Sequence, residues 1–232
     1  MTPDKWTREY DRGGIPSSVR ETPSDSVVWA IDELKRFQFP FRTALDVGCG
    51  KGRNSMYLAG LGAHVTAMDF TPNAIEHLQA EAVKQKLIDK IRALTVDVTD
   101  PWPVAHDSMD LIVDAFCFKH ITGVSARRGY REQMLRALRV RGHYLISFAS
   151  TGDGYYGQYV TERSEDGTEL LIADPVNGIE SVLYTREKVM EFFGPDLILY
   201  RELHNAHPSV MHGQSYERST YALLFQRNPH AF

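Results

Sequence analysis

The stretch Ala44-Leu-Asp-Val-Gly-Cys-Gly-Lys-Gly-Arg-Asn-Ser55 decides the fold of this chain. It opens on a short apolar strand (43–47), turns through Gly48, Gly50 and Gly52, and enters a helix over 54–61. Glycines at alternate positions let the backbone turn tightly with no Cβ in the way, so a flat ligand can lie against the main chain. A dinucleotide fingerprint would read G-x-G-x-x-G, with a helix N-terminus aimed at a pyrophosphate. Here the spacing is G-x-G-x-G, and Asp46 stands two residues before the first glycine. A carboxylate there repels a pyrophosphate but receives an ammonium group, directly or through water.

Outward from this turn the chain alternates. Apolar strands are expected at 63–68, 91–96, 111–115 and 144–149, and helices at 72–85 and 127–140. Pro72 suits the first turn of its helix, where its missing N–H costs nothing. Short apolar strands spaced by helices imply a parallel sheet buried on both faces. Strands at 197–200 and 220–226 bring the count to seven, after a helix at 186–193 capped by Thr185. The expected fold is therefore α/β and Rossmann-like, a seven-stranded, mostly parallel sheet with helices on both faces. One domain over 1–232 is expected. Residues 1–40 read as an N-terminal lid: a helical turn at 6–10, turn chemistry at 11–18, then a helix carrying Val27, Val28, Ile31, Leu34 and Phe37 up to Pro40. Residues 150–184, rich in Gly and Tyr, break the rhythm and read as an insertion after strand five. It contains a hairpin (169–173 and 179–183) and forms a cap over the acceptor side.

Composition narrows the function. The chain has 232 residues, 43% hydrophobic and 24% charged, which is ordinary for a globular protein. Its 26 basic and 30 acidic residues leave a net charge of −4, which argues against a protein that coats nucleic acid or an anionic membrane. Two cysteines, Cys49 and Cys117, are too few for a disulfide scaffold or a four-thiolate zinc site. No signal-peptide pattern or membrane-length apolar run is visible, so a cytoplasmic location is expected, with no membrane partner.

Two further acids end strands. Asp69 closes the second, where an acid accepts the ribose hydroxyls of an adenosine ligand, and it argues against a 2′-phosphate. Asp97 closes the third and could accept from an adenine amine, with Phe70 or Val98 against the ring. Each acid alone reads as readily as a helix cap or a solvated strand end. Three at the ends of successive strands, after this glycine turn, are hard to assign to caps.

On these residues the chain resembles the class I S-adenosylmethionine (SAM)-dependent methyltransferases over about 40–150. The run Leu45-Asp-Val-Gly-Cys-Gly-Lys-Gly-Arg-Asn-Ser-Met-Tyr-Leu-Ala59 is similar to the tellurite-resistance and thiopurine types, which act on small molecules. The C-terminal run from Glu202-Leu-His204 through Tyr216-Glu-Arg218 to Ala222-Leu-Leu-Phe225 also resembles the tellurite-resistance type, with a longer intervening loop. The resemblance implies a last strand antiparallel to the rest. It implies SAM as cofactor, with contacts at Asp46, Gly48, Gly50, Asp69, Phe70, Asp97 and Val98. It nominates Trp6 and Tyr10 to close over the methionine end. It also places His204 at the acceptor pocket, with Arg218 matching a downstream arginine.

Ligands of open α/β sheets lie outside the carboxyl ends of the strands. Asp114, Phe116 and His120, which follow strand four, should therefore face the pocket. Phe116 and the surface histidine reading of His120 both have plain alternatives, as core packing and a helix cap. Tyr155, Tyr156 and Tyr159 are expected on a flap over the acceptor, and Arg20 is a candidate for holding an anionic group. His204, His207 and His212 cluster before the last strand, but no carboxylate–histidine spacing supports a metal, and none is expected. His120 and His204 are the expected bases for a neutral acceptor, with Arg218 beside them. The function so reached is methyl transfer from SAM to a small-molecule oxygen, sulfur or nitrogen nucleophile. A catalytically silent SAM-binding subunit and a nicotinamide-dependent oxidoreductase are the alternatives, the second opposed by the glycine spacing and Asp46.

Overall fold

The computed structural model describes residues 3–12, 20–194, 196–211 and 213–229. The expected turn chemistry at 11–18 and His212 fall wholly or mostly outside them. Helices α1 (Pro3–Arg12) and α2 (Asp25–Arg36) precede an alternating core: β1 (Thr43–Val47), α3 (Arg53–Gly60), β2 (His64–Asp69), α4 (Pro72–Lys84), β3 (Ile91–Thr95), β4 (Met109–Ala115), α5 (Val124–Ala137) and β5 (Leu138–Ala149). Three strands follow, β6 (Val160–Arg163), β7 (Glu169–Ala173) and β8 (Glu180–Tyr184), then α6 (Arg186–Phe193) and the long pair β9 (Leu197–Met211) and β10 (Gln214–Arg227).

The main sheet runs β3-β2-β1-β4-β5-β10-β9. Strands β1 to β5 are mutually parallel where they pair, and β10 is antiparallel to both β5 and β9. The seven-stranded sheet with an antiparallel last strand is thus the observed one. Alternate residues of each strand serve opposite faces. Ala44, Val65, Leu111, Val113, Leu145 and Leu224 pack under α2, α3 and α4, against Val27, Ile31, Leu58 and Leu78. Leu45, Ile112, Tyr144, Ile146, Leu223 and Phe225 pack under α5 and α6, against Tyr130, Met134, Val189 and Phe193. Each such side chain contributes about 1.5–3 kcal/mol by leaving water.

Three expectations shift. The insertion is a three-stranded antiparallel sheet, β6-β7-β8, in place of a hairpin; the β7–β8 hairpin is the expected part. The helix before β5 starts and stops three residues early, and β5 begins at once at Leu138. The loop expected at 203–213 is not a loop. It is the outer half of β9, paired residue by residue with β10 from Met211↔Gln214 through His207↔Arg218 to His204↔Tyr221. This half carries polar residues on both faces, so no apolar alternation announces it. Pro208, which argues against a strand, is tolerated because β9 is the sheet's edge strand and needs no second ladder.

Candidate functional site

A cavity of about 360 Å³ opens at the carboxyl ends of β1, β4 and β5, between α1, the outer β9–β10 hairpin and the segment after β5. Its floor is the glycine turn. Gly48 (φ +64°) and Gly50 (φ +54°) both adopt left-handed backbone. A Cβ on Gly48 would lie 2.5 Å from the Cys117 sulfur, and one on Gly50 2.8 Å from the Tyr10 hydroxyl. The chain leaving β4 and the helix α1 therefore close directly onto main chain.

Asp69 sits in the cavity wall, and its carboxylate organises the turn. Oδ2 accepts the Gly50 N–H at 2.9 Å, and Oδ1 accepts the Thr71 N–H at 2.9 Å and its hydroxyl at 2.5 Å. Burial raises its pKa, opposed by these bonds. Phe70 and Val98 line the same end, as do Trp6 and Tyr10 of α1. Ser24, Ser26 and Ser147 also line the cavity, and their hydroxyl oxygens are buried without a hydrogen-bond partner among the described residues.

The other acids do different work. Asp46 is buried off the cavity, where Oδ2 accepts the Ser55 hydroxyl at 2.6 Å and ties β1 to α3; burial raises its pKa to about 6. Asp97 does not line the cavity either. Its Oδ1 accepts the N–H and hydroxyl of Thr99, closing a local turn. Asp114, expected in the cofactor site, is fully buried beneath it. It accepts the N–H groups of Cys117 (2.8 Å) and Phe118 (2.9 Å) and the Tyr130 hydroxyl (2.6 Å), and burial raises its pKa to about 7. It holds in place the 3-10 turn Phe118–His120 that feeds the acceptor side.

On that side Phe116, His120, Tyr156 and Arg218 line the cavity, and so does Arg20 near the first turn of α3, where its charge helps lower the Arg53 pKa after burial. Phe116 is held at φ +72°, a strained conformation for a bulky residue, its N–H on the Ser147 carbonyl at 3.1 Å. His120 Nδ1 lies 3.0 Å from the Glu180 carbonyl, which can only accept, so Nδ1 carries the proton and Nε2 keeps its lone pair. Burial and the Lys119 charge push the His120 pKa down to about 3, so the ring is neutral at any ordinary pH. The Trp6 ring meets it edge-on at 4.9 Å.

Tyr155 and Tyr159 do not line the cavity. Tyr155 is 1% exposed, in ring contact with Tyr156, Tyr159 and Tyr216, and it supports the wall from behind. His204 is likewise off the cavity. It stacks on Tyr221 at 4.2 Å, with Nε2 3.0 Å from the Ser219 hydroxyl, on the opposite face of the strand. Because the expected loop is a strand, Asn205, His207 and Ser209 share one face and line the cavity, joined by Val210 and Met211 at the strand's end and by Tyr221 on β10; His204 is not among the lining residues. His207, part of the histidine cluster expected near the acceptor, lines the cavity in place of His204, and Lys119 is a lining residue that the sequence did not place at the site. The signal for Lys119 was a lone lysine directly after the aromatic run Phe116-Cys-Phe118. Among the described residues, no three His, Cys, Asp or Glu side chains gather as a metal site.

Residues 44–142 match the family model of a methyltransferase domain. A demethylmenaquinone methyltransferase from Clavibacter sepedonicus is 32% identical over 107 residues, covering 46% of this chain and 41% of that protein. A probable S-adenosyl-L-methionine-dependent methyltransferase, TehB, from Haemophilus influenzae is 49% identical over 43 residues, 18% of this chain and 15% of that protein. The chain thus spans less than half the length of these curated relatives. A solved 1,6-didemethyltoxoflavin-N1-methyltransferase from Burkholderia thailandensis, with its substrate and S-adenosylhomocysteine bound, superimposes with a TM-score of 0.71 at 16% identity, over 97% of this chain and 87% of that one. The fold is that of the SAM-dependent methyltransferases, as the resemblance implied.

Proposed function

We propose that this protein transfers a methyl group from SAM to a small-molecule acceptor. The observation that carries the reading is Asp69. It is a buried carboxylate at the end of β2, bonded to the glycine turn and exposed to a cavity whose floor admits no Cβ. The residues present fit the cofactor. Asp69 is an acceptor for a diol, and Phe70 and Val98 are apolar walls for a flat ring. When bound, SAM supplies a methyl carbon on a sulfonium, which leaves as a neutral thioether.

The chain's own part is alignment and control of water. Tyr10 and Trp6, on α1, close the cavity from outside; α1 is tied down by Lys5 to the Gly178 carbonyl and by Asn73 to the Thr7 carbonyl. This supports the reading of residues 1–40 as a lid and of 150–184 as a cap within one domain. His120 orients an acceptor O–H or N–H by accepting at Nε2. With a pKa near 3 it is a poor proton sink, so the acceptor arrives already nucleophilic or releases its proton to solvent. No helix among the described residues is long and apolar enough to cross a membrane.

Calorimetric titration with S-adenosylhomocysteine and with NADH separates the readings. Binding of the first alone is expected. Binding of NADH alone would move the protein to the oxidoreductases. Binding of S-adenosylhomocysteine, with no product released from SAM across thiols, phenols, amines and acids, would favour a silent subunit.

A further inference from the structure

One end of the cavity carries positive charge that cofactor binding does not use. Lys119 is 3% exposed, yet it lines the cavity. Its Nζ lies 4.1 Å from the centre of the Tyr156 ring and makes no hydrogen bond or ion pair with a described residue. Arg218 lines the same cavity, contacts the same ring and acts electrostatically on Lys119. The Arg218 Nε donates to both oxygens of Asp153, at 3.1 and 2.8 Å, and its guanidinium carbon is 5.1 Å from the same Tyr156 ring. The two terminal amino groups of Arg218 have no partner among the described residues.

The nearby acids are committed elsewhere. Asp153 also accepts the N–H groups of Tyr156 and Ser219, and Asp174 accepts those of Val176 and Asn177. Neither is within ion-pair distance of Lys119. A buried ammonium with only an aromatic face for company is costly to keep charged. Burial lowers its pKa to about 8, with Asp153 and Asp174 opposing and Arg218 adding to the fall. The Arg218 charge is paired with Asp153, and neither Asp153 nor Asp174 reaches Lys119 at ion-pair distance, so the Lys119 ammonium is left without a contact partner among the described residues, in the same cavity as the free fork of the guanidinium. That donor set matches the two oxygens of a monoanion.

We propose that Lys119 and Arg218 bind the carboxylate of an organic acceptor, whose body lies against Phe116 and Tyr156. The proposal rests on the methyl-transfer reading for the word acceptor, but the anion site stands on the side chains themselves. The carboxylate is the handle and not the atom methylated. Its lone pairs are engaged by two cations, and esterifying it would leave the Lys119 ammonium buried without a partner. A second nucleophilic atom of the same molecule then faces the donor, within reach of His120 on the same 3-10 turn. Arg20, at the α3 end of the cavity, is a separate cation and is not part of this pair.

The test uses two fluorinated probes of one shape, 4-fluorobenzoate and 4-fluorobenzamide, followed by fluorine NMR on the full chain with and without S-adenosylhomocysteine. The acid should bind about tenfold or more tightly than the amide, since a hydrogen bond to a charged group is worth that much. Lys119→Met and Arg218→Gln should each erase most of that preference while leaving S-adenosylhomocysteine affinity unchanged, and Lys119→Arg should retain it. The Lys119 ammonium, labelled at Cε, should titrate at higher pH when the acid is bound. Equal binding of acid and amide, absence of binding by both, or undiminished acid binding in both variants overturns the proposal. If the wild type binds the acid but not S-adenosylhomocysteine, the methyl-transfer reading fails and the anion site survives.

Discussion

Replacing Asp114 by asparagine should stabilise this protein, and increasingly so as the pH rises. The carboxyl is fully buried, and its pKa is raised from 3.8 to about 7 in the folded chain. Between those two values the unfolded chain has released a proton that the folded chain still holds, so wild-type stability falls with rising pH across this window. The full difference is about 4 kcal/mol, of which about 3 kcal/mol is lost between pH 5 and pH 8. Asparagine cannot ionise. Its oxygen, at the Oδ1 position, can accept the Cys117 amide and the Phe118 amide, which gives up its 2.9 Å contact to Oδ2 for the 3.1 Å one to Oδ1; its NH2 can donate to the Tyr130 oxygen, whose own proton is then free to turn toward Tyr144, 3.3 Å away. Urea denaturation of wild type and Asp114→Asn from pH 5 to pH 9 measures the effect. The stability difference should grow in favour of the variant through pH 7 and then level. Asp114→Ala should instead be destabilised at every pH, by about 1–3 kcal/mol for each donor left without a partner. A difference between wild type and Asp114→Asn that is flat with pH, or that grows in favour of the wild type, would refute the burial argument. Both variants should keep S-adenosylhomocysteine affinity if folded, because Asp114 lies under the cavity and not in its wall.

Asp69→Ala should weaken S-adenosylhomocysteine binding by roughly 10–100-fold in calorimetry, through loss of a charged acceptor and loosening of the Gly50 N–H that it holds. Gly48→Ala should cost about 1–2 kcal/mol from its left-handed backbone alone, plus clashes with the Cys117 sulfur and Cβ; Cys117→Ala in the same chain should recover only the sulfur's share, because the alanine Cβ still stands 2.7 Å away, as read by thermal melting. His204→Ala should leave turnover on the best acceptor unchanged, whereas His207→Ala should alter its KM, because strand parity puts only the second on the cavity wall.

The glycine turn, its flanking strands and Asp69 were legible because their constraints are local. Positive-φ backbone demands glycine, a buried parallel strand demands an apolar run, and an acid at a strand end is set by chain direction alone. Asp46 and Asp114 were legible as acids at strand ends but not as structural ones. Only the tertiary structure turns them away from the cavity, Asp46 toward Ser55 across the turn and Asp114 toward Tyr130 on a helix far along the chain. The resemblance that nominated His204 failed in the same way. A run of polar residues reads as a loop, and only its ladder to β10 makes it a strand, after which a single step in register exchanges the two faces. Lys119 is the clearest case. In the sequence it is one lysine among 26 basic residues. Burial against Tyr156, beside a guanidinium clamped by Asp153, turns it into a charge without a partner, and that property belongs to three elements brought together from distant parts of the chain. Local sequence carries the central parallel strands, the glycine turn and the end of the sheet at which the cavity opens, because each is set by neighbours along the chain. The tertiary structure alone decided which polar groups remained unpaired there, because pairing is a relation between residues and cannot be read from either one.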